Sequence, residues 1–275
     1  MEITKTFSNL EGLRQYLDTA PENEVFKGRS CGSKNGTEKF TGTDSYDAAN
    51  VLLRDGDEKN AAALKAAAAV HVRTLGEGRR NRRYNAVCGG AANVPAALLG
   101  LPKTMIRTEK VTYKDSKVLN ICYNGTASCD VDKNELKDTA AALMGALMGL
   151  EKNGYRVNLY LYFGSQCRDY SRRGRVYDSC NMFVRIKDSG QYLDIKKTAY
   201  PLVNPSMLRR HYLRFVETAP GLKNHYFSIG HGSPVTDTGK IETAANNAGL
   251  HLKKIVSFYE LRGLNTAAII SKLSD

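Results

Sequence analysis

The feature that most constrains the fold is the alternation of short apolar runs with helical patterns from residue 117 onward. Apolar runs of this length are typical of buried strands, and we predict strands at residues 117–123, 155–163, 181–187, 225–229 and 254–259. Helical periodicity predicts helices at residues 133–153, 207–217, 240–248 and 264–273. Strands that alternate with helices of this size form a mainly parallel sheet covered on both faces. We therefore predict a three-layer α/β domain over residues 105–275.

The first 104 residues have a different pattern. Short helical periodicities occur at residues 6–17, 46–54, 60–75 and 93–99. A stretch rich in Gly, Ser, Lys and Thr at residues 28–42 predicts a loop, and either Ser45 or Asp44 is suited to cap the helix that follows it. We predict that residues 1–104 form a helical extension packed on the α/β domain.

Positive charge is the clearest indication of function. The chain has 40 Lys and Arg against 28 Asp and Glu, a net charge of +12. The basic residues concentrate in three clusters: Arg79, Arg80, Arg82 and Arg83; Arg168, Arg172, Arg173 and Arg175; and Lys196, Lys197, Arg209, Arg210 and Arg214. Five tyrosines lie among them: Tyr84, Tyr170, Tyr177, Tyr200 and Tyr212. Arginine binds phosphate and aromatic rings stack on bases, so we expect nucleic acid or another polyanion as a partner. The alternative is three separate solvated surfaces.

The loop after the first predicted strand is a second candidate site. In open α/β sheets, ligands bind beyond the carboxyl ends of the strands. The loop has Asn124, Thr126 and Ser128 at alternate positions, between a strand and a long helix. This arrangement resembles the von Willebrand factor A domain, in which a D-x-S-x-S loop supplies ligands to a divalent cation. The resemblance implies that these three residues bind Mg²⁺, and that a metal-free form uses the same face for protein contacts.

Asn124 departs from that family's pattern. It replaces an aspartate, and because hard cations prefer carboxylate oxygen, the change weakens a Mg²⁺ site. We therefore expect no tightly held cofactor, with Mg²⁺ as the one candidate. Asn, Thr and Ser are also ordinary residues of turns and helix caps, which leaves a purely structural loop as the alternative.

In that family's strand order, the strand predicted at residues 225–229 would lie beside the first strand, at residues 117–123. This order places His231 and Ser233 across a crevice from the loop. Glycines on both sides of His231 would let a substrate approach the backbone. This observation supports a metal-assisted hydrolase that uses Ser128, His231 and Asp237. The G-H-G-S sequence is not a nucleophile elbow, however, so we favour binding over catalysis.

Two further segments carry a broader resemblance. The strings FTGTDSYDAANVLLRDG, at residues 40–56, and NVPAALLGLPKTMI, at residues 93–106, are similar to uncharacterised bacteriophage proteins. That resemblance implies a phage origin, action in the cytoplasm of an infected cell, and no particular activity. A phage structural or assembly protein that contacts phage or host proteins through the crevice is therefore the main alternative to nucleic-acid binding.

Several classes of protein are disfavoured by composition. The longest nearly apolar stretch, residues 139–150, is shorter than the roughly 20 residues that a membrane span needs, and the N-terminus has no signal-peptide pattern. The six cysteines include no C-x-x-C pair, so zinc-finger sites are not expected and free thiols are. We expect a cytoplasmic protein that does not contact a membrane.

Overall fold

A computed structural model of the chain describes residues 2–24, 26, 32–74, 82–109, 117–128, 131–169, 175–222 and 231–274. The strands are β1 (Glu2–Phe7), β2 (Arg82–Ala86), β3 (Ala91–Ala92), β4 (Met105–Glu109), β5 (Val118–Asn124), β6 (Arg156–Asp169), β7 (Arg175–Lys187), β8 (Ser233–Pro234) and β9 (Lys254–Ser257). The helices are α1 (Leu10–Thr19), α2 (Gly32–Asn35), α3 (Glu38–Thr41), α4 (Tyr46–Asp55), α5 (Glu58–Thr74), α6 (Val94–Leu98), α7 (Lys133–Lys152), α8 (Ile195–Val203), α9 (Leu213–Thr218), α10 (Thr238–Asn247), α11 (Phe258–Leu261) and α12 (Thr266–Ser274). A π-helix (Met207–Tyr212) runs directly into α9.

The central sheet has the strand order β1-β7-β6-β5-β9, and β8 adds to β6. Three of the five pairings in this sheet are parallel: β1 with β7, β5 with β6, and β5 with β9. Strands β7 and β8 run antiparallel to β6. The prediction of an α/β fold with a mainly parallel central sheet is therefore confirmed.

Alternation along the strands gives the sheet two apolar faces. Ile121 and Tyr123 of β5 point into the larger core, which includes the buried stripe of α7. Cys122, between them, points to the other face and packs with Ile241 of α10. Successive residues of a strand face opposite sides, so one seven-residue strand supports both layers. The apolar stretch at residues 139–150 is the buried part of α7. In the described part of the chain, no helix combines the length and apolarity needed to cross a bilayer.

The N-terminus differs from the prediction. The helix predicted at residues 6–17 starts only at Leu10, where Asn9 accepts a hydrogen bond from Gly12 N. Residues 2–7 alternate and form β1, which pairs with β7 at the sheet edge. The proposed division after residue 104 stays a prediction, but the sheet includes one strand from the segment assigned to the extension.

The neighbours of β5 also differ from the prediction. The resemblance placed the strand at residues 225–229 beside β5, but the two sides of β5 are occupied by β6 and β9. Residues 225–229 themselves lie outside the described residues. Strand β5 nevertheless has a neighbouring strand on each side, so its carboxyl end can border a crevice.

A second, small sheet is formed by residues 82–109, and we call this segment the arm. Its strand order is β2-β4-β3, all antiparallel, and α6 lies between β3 and β4 in the chain. The elements of the arm make their extensive contacts with one another. Helical periodicity predicted α6, whereas β2 and β4 were not predicted from the sequence.

Candidate nucleic-acid interface

The arm contains the first basic cluster. Arg82, Arg83 and Tyr84 belong to β2, and Lys103 and Arg107 lie in or beside β4. Residues 79–110 contain seven Lys and Arg against one Glu, a net charge of +6, which is half of the chain's +12. The side chains of Arg83, Lys103 and Arg107 are exposed. Within the described residues, the arm therefore presents basic groups to solvent.

Pairing between β2 and β4 brings an aromatic ring and a guanidinium together. Tyr84 is the register partner of Arg107, and 37% of the Tyr84 side chain is exposed. Directly opposite residues of an antiparallel pair project to the same face with close Cβ atoms. The arrangement thus places a ring that can stack on a base next to a group that can bind phosphate.

Local hydrogen bonds hold the arm in this shape. Asn93 N donates to Thr104 O at 2.8 Å, and Asn93 Nδ2 donates to Asn85 Oδ1 at 3.0 Å, which ties the start of α6 to both β2 and β4. Gly90 N donates to Ile106 O. Gly89 lies so close to this strand that a Cβ atom would be 2.3 Å from Ile106 O, so glycine is required there.

The third basic cluster is mostly inside the protein, which corrects its assignment to a polyanion surface. Arg210 is completely buried in the π-helix. Its guanidinium donates to the carbonyls of Ser33, Lys34, Gly36 and Thr43 and to Thr43 Oγ1. Burial lowers the pKa of the Arg210 guanidinium from its usual value. All five of its N–H groups serve the loop between residues 33 and 43, and none is presented to a ligand.

The two neighbouring arginines are also buried. Arg209 donates to Phe40 O at 2.6 Å and lies over the Phe40 ring, and Arg214 forms an ion pair of 2.9 Å with Glu22. Tyr200 and Tyr212, which the sequence analysis grouped with these basic residues, are buried as well. Only Lys196 and Lys197 of this cluster are exposed, and Lys196 lies 3.5 Å from Glu58 Oε2.

The remaining predicted interface residues are described in part or not at all. Arg79, Arg80, Arg172 and Arg173 lie outside the described residues. Arg175 begins β7 and Arg168 is near the end of β6, and the two strands pair at this point. The second cluster therefore stays a prediction.

The predicted metal loop is held together by its own polar groups. Asn124 is buried, with Nδ2 donating to Val235 O at 3.0 Å and Oδ1 accepting from Thr126 N. Thr126 Oγ1 accepts from Gly164 N, and Ser128 N donates to the Tyr259 hydroxyl. An amide donor that faces a carbonyl suits a structural junction better than a cation, and the described residues contain no group of three His, Cys, Asp or Glu suited to hold a metal.

The residues predicted to line the crevice, His231 and Ser233, have contacts in different parts of the structure. Ser233 is in β8 beside Gln166, and Val235, which was not among the predicted residues, is the one whose carbonyl contacts Asn124. His231 instead lies with Nε2 at 2.9 Å from Oε1 of buried Glu217. Nε2 is taken as the donor because a carboxylate oxygen accepts hydrogen bonds. Asp237 caps α10 through Gly239 N. Among these contacts of the described residues, Ser128, His231 and Asp237 have different partners, so the contacts do not bring together the three residues of the hydrolase alternative.

Glu217 is a residue that sequence reasoning missed. Besides His231, it accepts hydrogen bonds from the hydroxyl and the backbone N–H of Ser33. His231 has a left-handed φ of 55° and stacks on Phe26 at 5.6 Å between ring centroids. A non-glycine residue in this conformation is strained and needs such support. The three residues are far apart in the chain, so no motif could have identified the cluster.

A family of known sequences matches most of the chain. A family model described as a domain of unknown function, DUF7192, matches residues 2–260. No curated protein and no solved structure matches the chain. The matched range includes the central sheet, the arm and the Glu217 cluster, and it shows that the chain belongs to the DUF7192 family.

Proposed function

We propose that this protein binds nucleic acid, and that the arm is the binding element. The observation that carries the proposal is the exposed β2–β4 ribbon, which has Arg83, Lys103 and Arg107 in solvent and Tyr84 opposite Arg107. The buried arginines of the π-helix are not part of this surface. The protein acts as a binding protein rather than as an enzyme, and its phage origin and likeness to von Willebrand A domains remain part of the proposal.

The dimensions and charge of the ribbon suit such a ligand. A two-stranded ribbon fits the major groove of duplex DNA, which is about 12 Å wide, and exposed tyrosines are suited to stack on unpaired bases. Arginine binds phosphate with a planar pair of donors. None of the sequence-specific recognition motifs occurs in the chain, so the binding is mainly electrostatic and independent of base sequence.

The test is fluorescence anisotropy with labelled single-stranded and duplex oligonucleotides over a series of salt concentrations. Counterion release predicts that log K falls with log salt, with a slope of about −0.9 per duplex phosphate contact and about −0.7 for single strands. We expect at least three contacts and a slope of about −2 or steeper. The double variant Arg83→Ala/Arg107→Ala should flatten the duplex slope by about 1.8 and weaken binding to all sequences alike.

A control variant of equal charge separates the arm from general attraction. Arg54 and Arg262 are exposed outside the arm and pair with Asp55 and Glu135. Arg54→Ala/Arg262→Ala lowers the net charge by the same two units and should leave the slope unchanged. An equal loss in both double variants would show that net charge, and not the arm, drives binding. Absence of binding at low salt to DNA and RNA would overturn the proposal and favour the protein-assembly alternative.

A further inference from the structure

The tip of the arm, residues 87–101, exposes an unusual amount of apolar surface. Five aliphatic side chains in these 15 residues are between 47% and 83% exposed: Val87, Val94, Leu98, Leu99 and Leu101. Single exposed apolar residues are ordinary on protein surfaces, but a contiguous group of them marks an interaction site.

Helix α6 and the hydrogen bonds around it determine how these side chains are presented. Val94 and Leu98 are four residues apart on α6, so they lie on one face of the helix. Asn93 ties the beginning of α6 to β2 and β4, and Gly89 packs closely on β4. Helix α6 therefore presents Val94 and Leu98 side by side, and a preformed arrangement of this kind lowers the entropy lost when a partner binds.

The arm also lacks a core of its own. Ala96 is the only apolar side chain of the arm that is buried among those described. A unit of this size cannot bury enough apolar surface to stabilise itself, and small units usually acquire further burial by association. The missing burial points to a partner that covers the tip.

We propose that the partner is a second copy of this chain, bound tip to tip around a two-fold axis. Residues 87–101 contain no Lys, Arg, Asp or Glu, so two tips can meet without opposing like charges. Lys103 and Arg107 lie at the margin, where they stay in water. In a two-fold contact each copy presents the same patch, so apolar residues meet apolar residues.

The available area suits a modest dimer. Covering an aliphatic side chain removes roughly 60–120 Å² of apolar surface from water, so five of them give about 400 Å² per copy. Two copies would bury about 800 Å² from these side chains, which is less than the roughly 1,000 Å² of a stable specific interface and is typical of a weak, reversible one. We expect a dimer whose population rises with concentration. This inference does not depend on nucleic-acid binding.

Sedimentation velocity of the full chain, after nuclease treatment and at high salt, tests the proposal. We expect a concentration-dependent monomer–dimer equilibrium. Leu98→Glu/Leu99→Glu would place two carboxylates in the contact and raise the dimer Kd tenfold or more. The control Val51→Glu changes an exposed apolar residue on α4, outside the arm, and should leave the Kd unchanged. Circular dichroism confirms that each variant is folded.

Exposed Cys88 provides a second readout at the tip itself. In a tip-to-tip dimer, a short thiol crosslinker should join Cys88 of the two copies, and Cys88→Ser should abolish the product. A monomer at all accessible concentrations would overturn the proposal. A dimer that keeps its Kd in Leu98→Glu/Leu99→Glu would equally overturn it, because the contact would then lie elsewhere.

Discussion

Two arginine-rich segments of this protein use the same side chain in opposite ways. In the π-helix, Arg210 is completely buried and its guanidinium donates only to the chain itself. In the arm, Arg83 and Arg107 are exposed on a ribbon with little buried beneath it. The difference shows that a local excess of positive charge in a sequence does not indicate whether the charge faces a ligand. Arg210 can be buried because carbonyl and hydroxyl oxygens inside the fold accept all of its hydrogen bonds.

The acceptors around Arg210 come from an irregular segment. Helices α2 and α3 have four residues each, so most of their carbonyls lack helical partners. Arginine has five donors in a planar arrangement, which allows one side chain to satisfy several such carbonyls. The arm has no comparable need, because its backbone groups are paired between strands.

The largest expected effect is on the free energy of unfolding, at the buried Arg210. Arg210→Met should lower the free energy of unfolding by about 3–5 kcal/mol, because the buried carbonyls of Ser33 and Thr43 and the partly buried carbonyl of Gly36 would lose their donor. Arg83→Met in the arm should change it by about 0.5 kcal/mol or less. Urea denaturation monitored by circular dichroism measures both. Equal effects of the two substitutions would remove the distinction between the segments.

A pH dependence should come from the residue next to Arg210. His211 is buried, with Nδ1 facing the Tyr200 hydroxyl at 2.9 Å and Nε2 facing Asn50 Oδ1 at 3.0 Å. Burial, and secondarily the charge of Arg210, lower the pKa of His211 to about 3. The unfolded chain takes up this proton near pH 6.5 and the folded chain does not. Stability is therefore complete above pH 6.5 and falls as pH drops from 6.5 to 3, by about 4 kcal/mol at the lower limit.

Comparing urea midpoints between pH 7 and pH 4 checks this effect. His211→Gln removes the titrating group and should flatten that part of the profile, whatever it does to stability at pH 7. The matched control is His251→Gln, which replaces an exposed histidine. We expect its dependence of stability on pH to equal that of the unmodified chain. A profile that His211→Gln leaves equally steep would assign the acid sensitivity to other groups.

A third expected effect concerns the buried amide of the β5 loop. Asn124→Asp replaces the donor to Val235 O with a carboxylate oxygen, which should cost about 2–3 kcal/mol in metal-free buffer. In the unmodified chain, millimolar Mg²⁺ should change the melting temperature little. The measurement is thermal denaturation of both proteins with Mg²⁺ and with EDTA. A rise of several degrees in the unmodified chain, lost in Thr126→Ala, would show that the loop binds metal.

The parts of the fold that the sequence predicted have strong local signals. Strand β5 and helix α7 are defined by apolar runs with clear periods, and Ser45 caps α4 through Ala48 N as its residue type indicates. The strands of the arm have no such signal, because RRYNA is mostly polar and its stability comes from pairing with β4. Local patterns thus predicted β5 and α7 but missed β1 and α8, which also bury apolar side chains.

The site residues show the same division. The basic composition of the arm was visible in the sequence, but the burial of Arg209 and Arg210 depends on residues about 170 positions away. The contact between Glu217 and Ser33 spans 184 positions. Polar contacts over such distances have no period or spacing, so only the folded chain can show them.

The smallest expected effect lies on the exposed side of the comparison, at Tyr84. Its ring is partly exposed opposite Arg107, so it can stack on a base that has no partner strand. Tyr84→Ala should weaken binding to a single-stranded oligonucleotide by about 1–2 kcal/mol and to a duplex by less, because duplex bases are already stacked. Tyr84→Phe keeps the ring and should bind as the unmodified chain does, which separates stacking from the hydroxyl. Anisotropy at one fixed salt concentration measures all three proteins on both ligands. Equal losses on the two ligands would instead place Tyr84 in the support of the ribbon, where it would orient Arg107 without touching a base.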